Sequence, residues 1–218
     1  MKTKPVVLVV TCDKTWKDLP RFCFNQHFLD NRDAFDLAVV FNGTDSEGIR
    51  HVEALAHPEY LLQRPNLGLD LAGFDYGIKN TPRYETYLFM HDDHWFVDST
   101  WPGLFKTLDD DTSIDALGNI VSSKTFPPPH HKMIANALGY EKYQLDQFPY
   151  FLQGLAGFYK RRAVDCMLER GGIPHLLDNH RETTFVFERI HSFILLDSGI
   201  KFGQIPPGYE KYLKHRLG

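Results

Sequence analysis

The run His91-Asp92-Asp93-His94 follows directly on the apolar stretch Tyr87-Leu88-Phe89-Met90. Two adjacent carboxylates flanked by imidazoles at the end of a buried strand are costly to hold together unless a cation or a ligand compensates their charge. The spacing therefore predicts a metal site, and hard oxygen donors point to Mn2+ or Mg2+. Its place at a strand end matters as much as its composition, because open α/β sheets bind ligands beyond the carboxyl ends of their parallel strands. A metal held there meets a phosphate. The plain alternative, a solvated turn, is opposed by Trp95 and Phe96, which continue the cluster as apolar sequence.

Glu188 and His191 form a second candidate pair, three residues apart and so on one face of a helix. Their bland readings are a solvated mid-helix glutamate and a surface histidine. His130 and His131 stand side by side after three prolines, where neighbouring imidazoles mostly point apart. His180, in the polar segment Asp178-Asn179-His180-Arg181, is a candidate contact for an acceptor or a diphosphate.

The elements that must position these groups follow from apolar periodicity. Val6 to Thr11 and Phe35 to Phe41 are β-branched, apolar runs that predict buried parallel strands, the second closed by the turn Asn42-Gly43-Thr44-Asp45. Between them, Leu19, Phe22, Cys23, Gln26 and Leu29 recur at steps of three and four, which predicts a helix over Asp18 to Asp30. Helices are expected over Gly48 to His57, Asp70 to Lys79 and Thr100 to Leu108, with strands over Tyr60 to Gln63, Tyr84 to Met90 and Ile114 to Val121. Pro127, Pro128 and Pro129 hold an extended loop. Beyond it come a strand over Gly154 to Tyr159 and helices over Arg161 to Glu169 and Thr184 to Leu196, the last ended by Ser198-Gly199. Lys201 to Ile205 reads as an edge strand, followed by a basic amphipathic tail, Glu210 to Arg216. This alternation predicts an α/β domain: a mainly parallel sheet flanked by helices on both faces.

With 218 residues, 43% of them hydrophobic, the chain is long enough to bury the core of one such domain. Its net charge of -4 lacks the basic footprint of a nucleic-acid binder, so an anionic substrate has to be neutralised locally. Cys12, Cys23 and Cys166 form no C-x-x-C pair and read as reduced thiols of a cytoplasmic protein. The apolar run Pro5 to Val10 is too short for a signal peptide, and no stretch approaches the roughly 20 apolar residues of a membrane span.

Four segments together resemble glycosyltransferases of the nucleotide-sugar-binding GT-A (Rossmann-like) fold, in particular the family-2 group and its rhamnan-synthesis relatives. Val39 to Asp45 resembles the family's valine-rich strand and its Asp/Asn, Gly, Ser/Thr, Asp turn. Arg64-Pro65-Asn66-Leu67-Gly68-Leu69-Asp70, with Gly73, resembles the segment beside the nucleotide. His91-Asp92-Asp93 stands where the family carries Asp-x-Asp, and Gly154 to Arg162 with Phe187-Glu188 and Gly199 resembles the acceptor side and catalytic carboxylate. The chain departs from the pattern with His91 at the first aspartate and with a glutamate at the catalytic position.

The resemblance implies an inverting, metal-dependent glycosyltransferase of polysaccharide biosynthesis, with a nucleotide-binding part at about 1–98 and an acceptor part at about 99–218. It assigns Asp93 to the metal, with His94 as a further ligand, and Glu188 as the base. Thr11, Asp13, Asn42, Arg64, Asn66, Asp70 and Asp92 become the nucleotide contacts, and Trp95 and His191 the acceptor contacts. Asp70 is equally suited to cap its own helix, and Asn42-Gly43 to form a tight turn. Trp101, Phe148, Tyr150 and Phe151 offer further flat faces for a sugar ring, or simply core. The expected partners are a nucleotide-sugar donor, UDP-sugars favoured, and a glycan acceptor. Lys211, Lys214 and Arg216 with Tyr212 and Leu213 suggest peripheral contact with an anionic membrane. Nucleotidyl transfer is the competing enzyme class, but the loop Thr11 to Trp16 lacks the glycines that class needs. A non-catalytic nucleotide- or carbohydrate-binding module and a metal-dependent hydrolase complete the alternatives, the last without H-E-x-x-H spacing.

Overall fold

A computed structural model describes residues 4–122, 133, 135–137, 139–142, 149–177, 181–206 and 212–215. Its centre is a seven-stranded sheet. The strands are β1 (Val6–Cys12), β2 (Asp36–Asn42), β3 (Tyr60–Arg64), β4 (Thr86–His91), β6 (Ala116–Ser122), β7 (Tyr150–Lys160) and β8 (Phe202–Gln204), in the spatial order β3-β2-β1-β4-β7-β6-β8. β7 alone runs against the others, pairing antiparallel with both β4 and β6. The sheet is thus mainly parallel, and its one reversed strand lies beside the strand that carries the acidic cluster.

Alternate residues of β1, β2 and β4 feed two separate cores. Val6, Leu8, Val10, Tyr87 and Phe89 face the core that contains α3 (Leu69–Asn80), α5 (Arg161–Glu169) and α6 (Arg181–Asp197). Val7, Val9, Leu37, Val39, Leu88 and Met90 face the core that contains α2 (Ser46–Ala56) and α4 (Gly103–Asp110). Burial on both faces is why these strands read as continuous apolar runs rather than alternating ones. Their register is fixed accordingly, since a one-residue slip would exchange the two cores.

Pro20 interrupts the first expected helix. Trp16–Asp18 is one 3-10 turn and residues 19–24 form turns, with Arg21 N–H bonded to the Asp18 carbonyl and Phe24 N–H to that of Leu19, and only α1 (Gln26–Leu29) is α-helical. Leu19, Phe22 and Cys23 are buried as their spacing suggested. Proline removes a donor and clashes with the preceding turn, so the apolar pattern is satisfied here without a helix.

The carboxyl tail differs from the amphipathic reading. Leu213–His215 is a strand, β9, paired antiparallel with β5 (His94–Phe96), and Leu213 is fully buried in the α2–α4 core. Its apolar side chain therefore packs inward rather than towards a membrane, while Lys211 and Arg216 lie outside the described residues. Among the described residues no helix is long and apolar enough to cross a membrane.

Candidate active site

The chain leaves β1 for β2 on one side and later enters β4 on the other, so the connections part at the carboxyl ends of β1 and β4. That divergence is where open α/β sheets form a ligand crevice. α3 reaches this end because Gly73 and Gly77 let it lie close on β1. A Cβ at Gly73 would come within 2.5 Å of Val10, and one at Gly77 within 2.6 Å of Leu8. The close approach brings Asp70, in the first turn of α3, against the end of β4.

Thr11 and Thr15 form one lip of the crevice and Asp92 the other. The Thr15 hydroxyl donates to Asp92 in a short bond, and the Thr11 side chain also bonds that carboxyl. Burial pushes Asp92 up to about 6, the two hydroxyls oppose this, and neighbouring Asp93 adds to it. The neighbouring acid thus adds to the proton affinity of Asp92 at this strand end, as the sequence implied.

His91 is buried and held at both ring nitrogens. Nδ1–H donates to Asp70 at 2.7 Å, and Nε2–H donates to the Gly154 carbonyl in a short bond. Burial alone would lower the imidazolium's pKa, but the Asp70 carboxylate, then Asp93 and the Gly154 carbonyl, more than reverse it, to about 10. Asp70 in turn stays below the usual carboxylate range, because the charge and hydrogen bond of His91 outweigh its burial. The N-cap of α3 is Gly68, and Asp70 stands in the first turn, where Oδ1 accepts the Leu71 N–H at 2.9 Å and Oδ2 holds His91.

Gly154 and Leu155 have φ of +65° and +56° within β7, and the β6–β7 register shifts between Gly118 and Ile120. This bulge re-aims the strand. The Gly154 N–H donates to Glu188 Oε2 at 3.3 Å, while its carbonyl accepts from His91. Glu188 is buried, not the solvated mid-helix glutamate of the bland reading. Burial drives its carboxyl up to about 7, Asp70 adds to the shift, and His91, the Gly154 amide and Arg189 oppose it.

The donor-side residues are engaged with their own loops. Asp13 accepts from the backbone N–H groups of Thr44 at 3.3 Å and Asp45 at 3.0 Å. Asn42 donates to the Leu69 carbonyl at 2.9 Å and accepts from Arg64 at 2.8 Å, and Arg64 also holds the Leu67 carbonyl at 2.7 Å. Asn66 is half-buried in the loop so braced.

On the proposed acceptor side, Trp95 is half-buried against Phe22, with ring centroids 5.3 Å apart. Trp101 is core rather than platform, fully buried and stacked on Phe96 with centroids 3.9 Å apart. Phe151 is buried under the Arg189 guanidinium, and Tyr150 is half-buried near Phe202. His191 is buried rather than at the surface, its Nε2 has no hydrogen-bond partner among the described residues, and burial drops its pKa to about 3. It is a neutral core imidazole. His130, His131, Phe148 and His180 lie outside the described residues.

Among the described residues no three His, Cys, Asp or Glu side chains converge as a ready metal cage. Asp93, with 36% of its side chain exposed, offers oxygen donors at the crevice, and His94 Nδ1 donates to it at 3.0 Å. His94 is itself buried and stacked on His91, with centroids 5.0 Å apart. One accessible carboxylate fits a Mg2+ or Mn2+ ion that arrives with phosphates and keeps several waters, and not an all-protein site.

The fold is the GT-A type of nucleotide-sugar glycosyltransferases. It is shared with S. aureus TarS (residues 1–349), at a TM-score of 0.60 and 12% identity over 97% of this chain and 60% of that one. Core-mannan synthase A from Aspergillus fumigatus, solved in a Mn/GDP form, matches at a TM-score of 0.55 and 11% identity over 98% of this chain and 75% of that one. A CMP:2-keto-3-deoxy-manno-octonic acid synthetase complexed with CTP matches at 0.52 and 12% identity, over 93% of this chain and 90% of that one. This chain thus spans about three fifths of the TarS fragment. No family model and no curated protein sequence matches it.

Proposed function

We propose that this chain is an inverting, metal-dependent glycosyltransferase that moves a sugar from a nucleoside-diphosphate donor to a hydroxyl of a carbohydrate acceptor. The observation that carries this reading is the link between the Asp92-Asp93 pair at the end of β4 and the buried Glu188 of α6, which are joined through His91 and Gly154. The fold gives the reading its context, since TarS has been solved with UDP-GlcNAc and core-mannan synthase A with Mn and GDP.

In this account Glu188 takes the acceptor hydroxyl's proton as the acceptor oxygen bonds to the anomeric carbon and the bond from that carbon to the diphosphate breaks. A base whose pKa lies near neutrality is well matched to that task, and general-base catalysis of this kind contributes roughly 10²–10⁴-fold. Asp93, with His94 behind it, would hold a Mn2+ or Mg2+ ion, which when bound offsets the charge of the leaving diphosphate as a Lewis acid. Thr11 and Thr15 fix Asp92 beside the diphosphate, and Asn66 and Trp95 meet donor and acceptor respectively. Asp13, Asn42 and Arg64 act through the loops they brace. We take the chain as one domain, with the nucleotide at about 1–98, and place it in a reducing compartment on account of its free cysteines.

The test is product identity. Incubation with Mn2+ and a panel of UDP-, GDP- and CDP-sugars should release nucleoside diphosphate from one donor in an acceptor-dependent way, and release of a monophosphate from a CMP-sugar would contradict the proposal. The likeness to the CMP-sugar synthetase keeps nucleotidyl transfer as the second reading, which predicts pyrophosphate release from a nucleoside triphosphate and a free sugar instead.

A further inference from the structure

We propose that His91 is a positioning residue that sets the place of Glu188 through the bulge of β7. The inference rests on the reading of Glu188 as the base.

The β4–β7 ladder ends at the pair Phe89–Gly157, and among the described residues no backbone pairing ties β7 to β4 beyond it. Gly154 lies past that point, and the His91 ring takes over as the tie. Both of its partners, the Asp70 carboxylate and the Gly154 carbonyl, are acceptors, so both ring nitrogens carry protons. The ring is fixed in turn by the edge of Phe74, with centroids 5.1 Å apart and an interplanar angle of 85°, and by the stacked His94.

With φ at +65°, Gly154 directs its carbonyl to His91 and its amide to Glu188. Rotating that residue moves both bonds together. The His91 ring therefore determines where the amide that anchors Glu188 points. An aspartate at position 91 would meet the Gly154 carbonyl as acceptor against acceptor and would add a second negative charge facing Asp70. This accounts physically for the chain's departure from an acid at that position.

The test compares His91→Asn and His91→Gln with the unaltered protein on whichever nucleotide sugar is turned over. Loss of a positioned base predicts a fall of at least about tenfold in kcat with the donor KM within about threefold, and partial recovery in the glutamine variant, whose amide reaches further. Folded variants with unchanged kcat overturn the proposal, as does a loss confined to KM. The carboxyl 13C signal of Glu188, assigned by its absence in Glu188→Gln, should shift in His91→Asn even where no turnover is found. If Glu188→Gln keeps full turnover, the base reading fails while the 13C signal still decides the positioning. If neither variant folds, the unaltered protein decides through its 15N-labelled His91 ring, which must show two slowly exchanging N–H protons. A single N–H overturns the proposal.

Discussion

Two groups of acids stand at the carboxyl ends of the parallel strands, and they are treated in opposite ways. At the ends of β1 and β2, Asp13 is exposed and receives the amides of Thr44 and Asp45, while Asp45 receives the Glu47 amide and the Trp16 indole N–H, each at 2.9 Å. These bonds, that of Glu47 foremost, hold Asp45 below the usual carboxylate range. At the end of β4 and on α6 facing it across the Gly154 bulge, Asp92 and Glu188 are pushed up to about 6 and about 7, in each case chiefly by burial. The first group has hydrogen bonds that favour charge and so shapes loops. The second retains groups whose proton affinity lies near neutrality, the property that proton transfer requires. Residue type alone does not distinguish them; desolvation does.

The largest effect should come from replacing the proposed base, Glu188. Glu188→Gln should reduce turnover by at least about 10²-fold, in the range expected for loss of general-base catalysis, with donor binding retained. Glu182→Gln, on the same helix, serves as the comparison, and if it alone abolishes turnover the base belongs to the first turn of α6 instead.

Acidity provides the next test. kcat/KM should rise with pH through about 7, where Glu188 becomes the carboxylate, and then level off. The stability effect has the opposite sense. A carboxyl whose folded pKa is raised from 4.5 to about 7 destabilises the fold progressively as pH rises through that window. Glu188→Gln should therefore gain stability relative to the unaltered protein between pH 4.5 and pH 8, by up to about 3 kcal/mol at 1.36 kcal/mol per unit. Chemical denaturation at the two pH values reads the difference, and a constant difference would contradict the raised proton affinity of Glu188.

Gly154→Ala sharpens the comparison at the bulge. A Cβ there meets only His91 Nε2, at 3.5 Å, so the substitution strains the backbone without a steric clash. The left-handed conformation should cost alanine about 1–2 kcal/mol, and turnover should fall with it as the Glu188 anchor turns. The smallest effect is expected from Asp13→Asn, which keeps one acceptor for the 44–45 turn. A loss of less than about 1 kcal/mol, with turnover within about threefold, would set it apart from the buried group.

The fold was legible in the sequence where burial is two-sided. The runs Val6–Thr11, Phe35–Phe41 and Tyr84–Met90 gave the parallel strands, and Arg161–Glu169 a helix with the observed bounds. It was less legible where a local breaker overrode periodicity, as Pro20 did, and where an element needs a distant partner, as β9 does with β5. At the site, the acidic pair was signalled by type and place, and Glu188 by the family resemblance. Their couplings were not, because Thr15 and Asp92 lie 77 residues apart and His91 and Gly154 63 apart, distances over which no periodicity carries. The contacts of His91 had one visible trace, its occurrence where an acid was expected. The burial of His191 had none, since its helical spacing suits either face.

The central claim is that a cation held by Asp93 meets a nucleoside diphosphate at the ends of β1 and β4. Calorimetric titration of UDP, GDP and CDP, with and without Mn2+, into the unaltered protein and Asp93→Ala tests it most directly. The account predicts one diphosphate whose affinity rises with Mn2+ in the unaltered protein and loses that gain in Asp93→Ala. An equal manganese-dependent gain in both proteins, or no diphosphate binding in either, would contradict it.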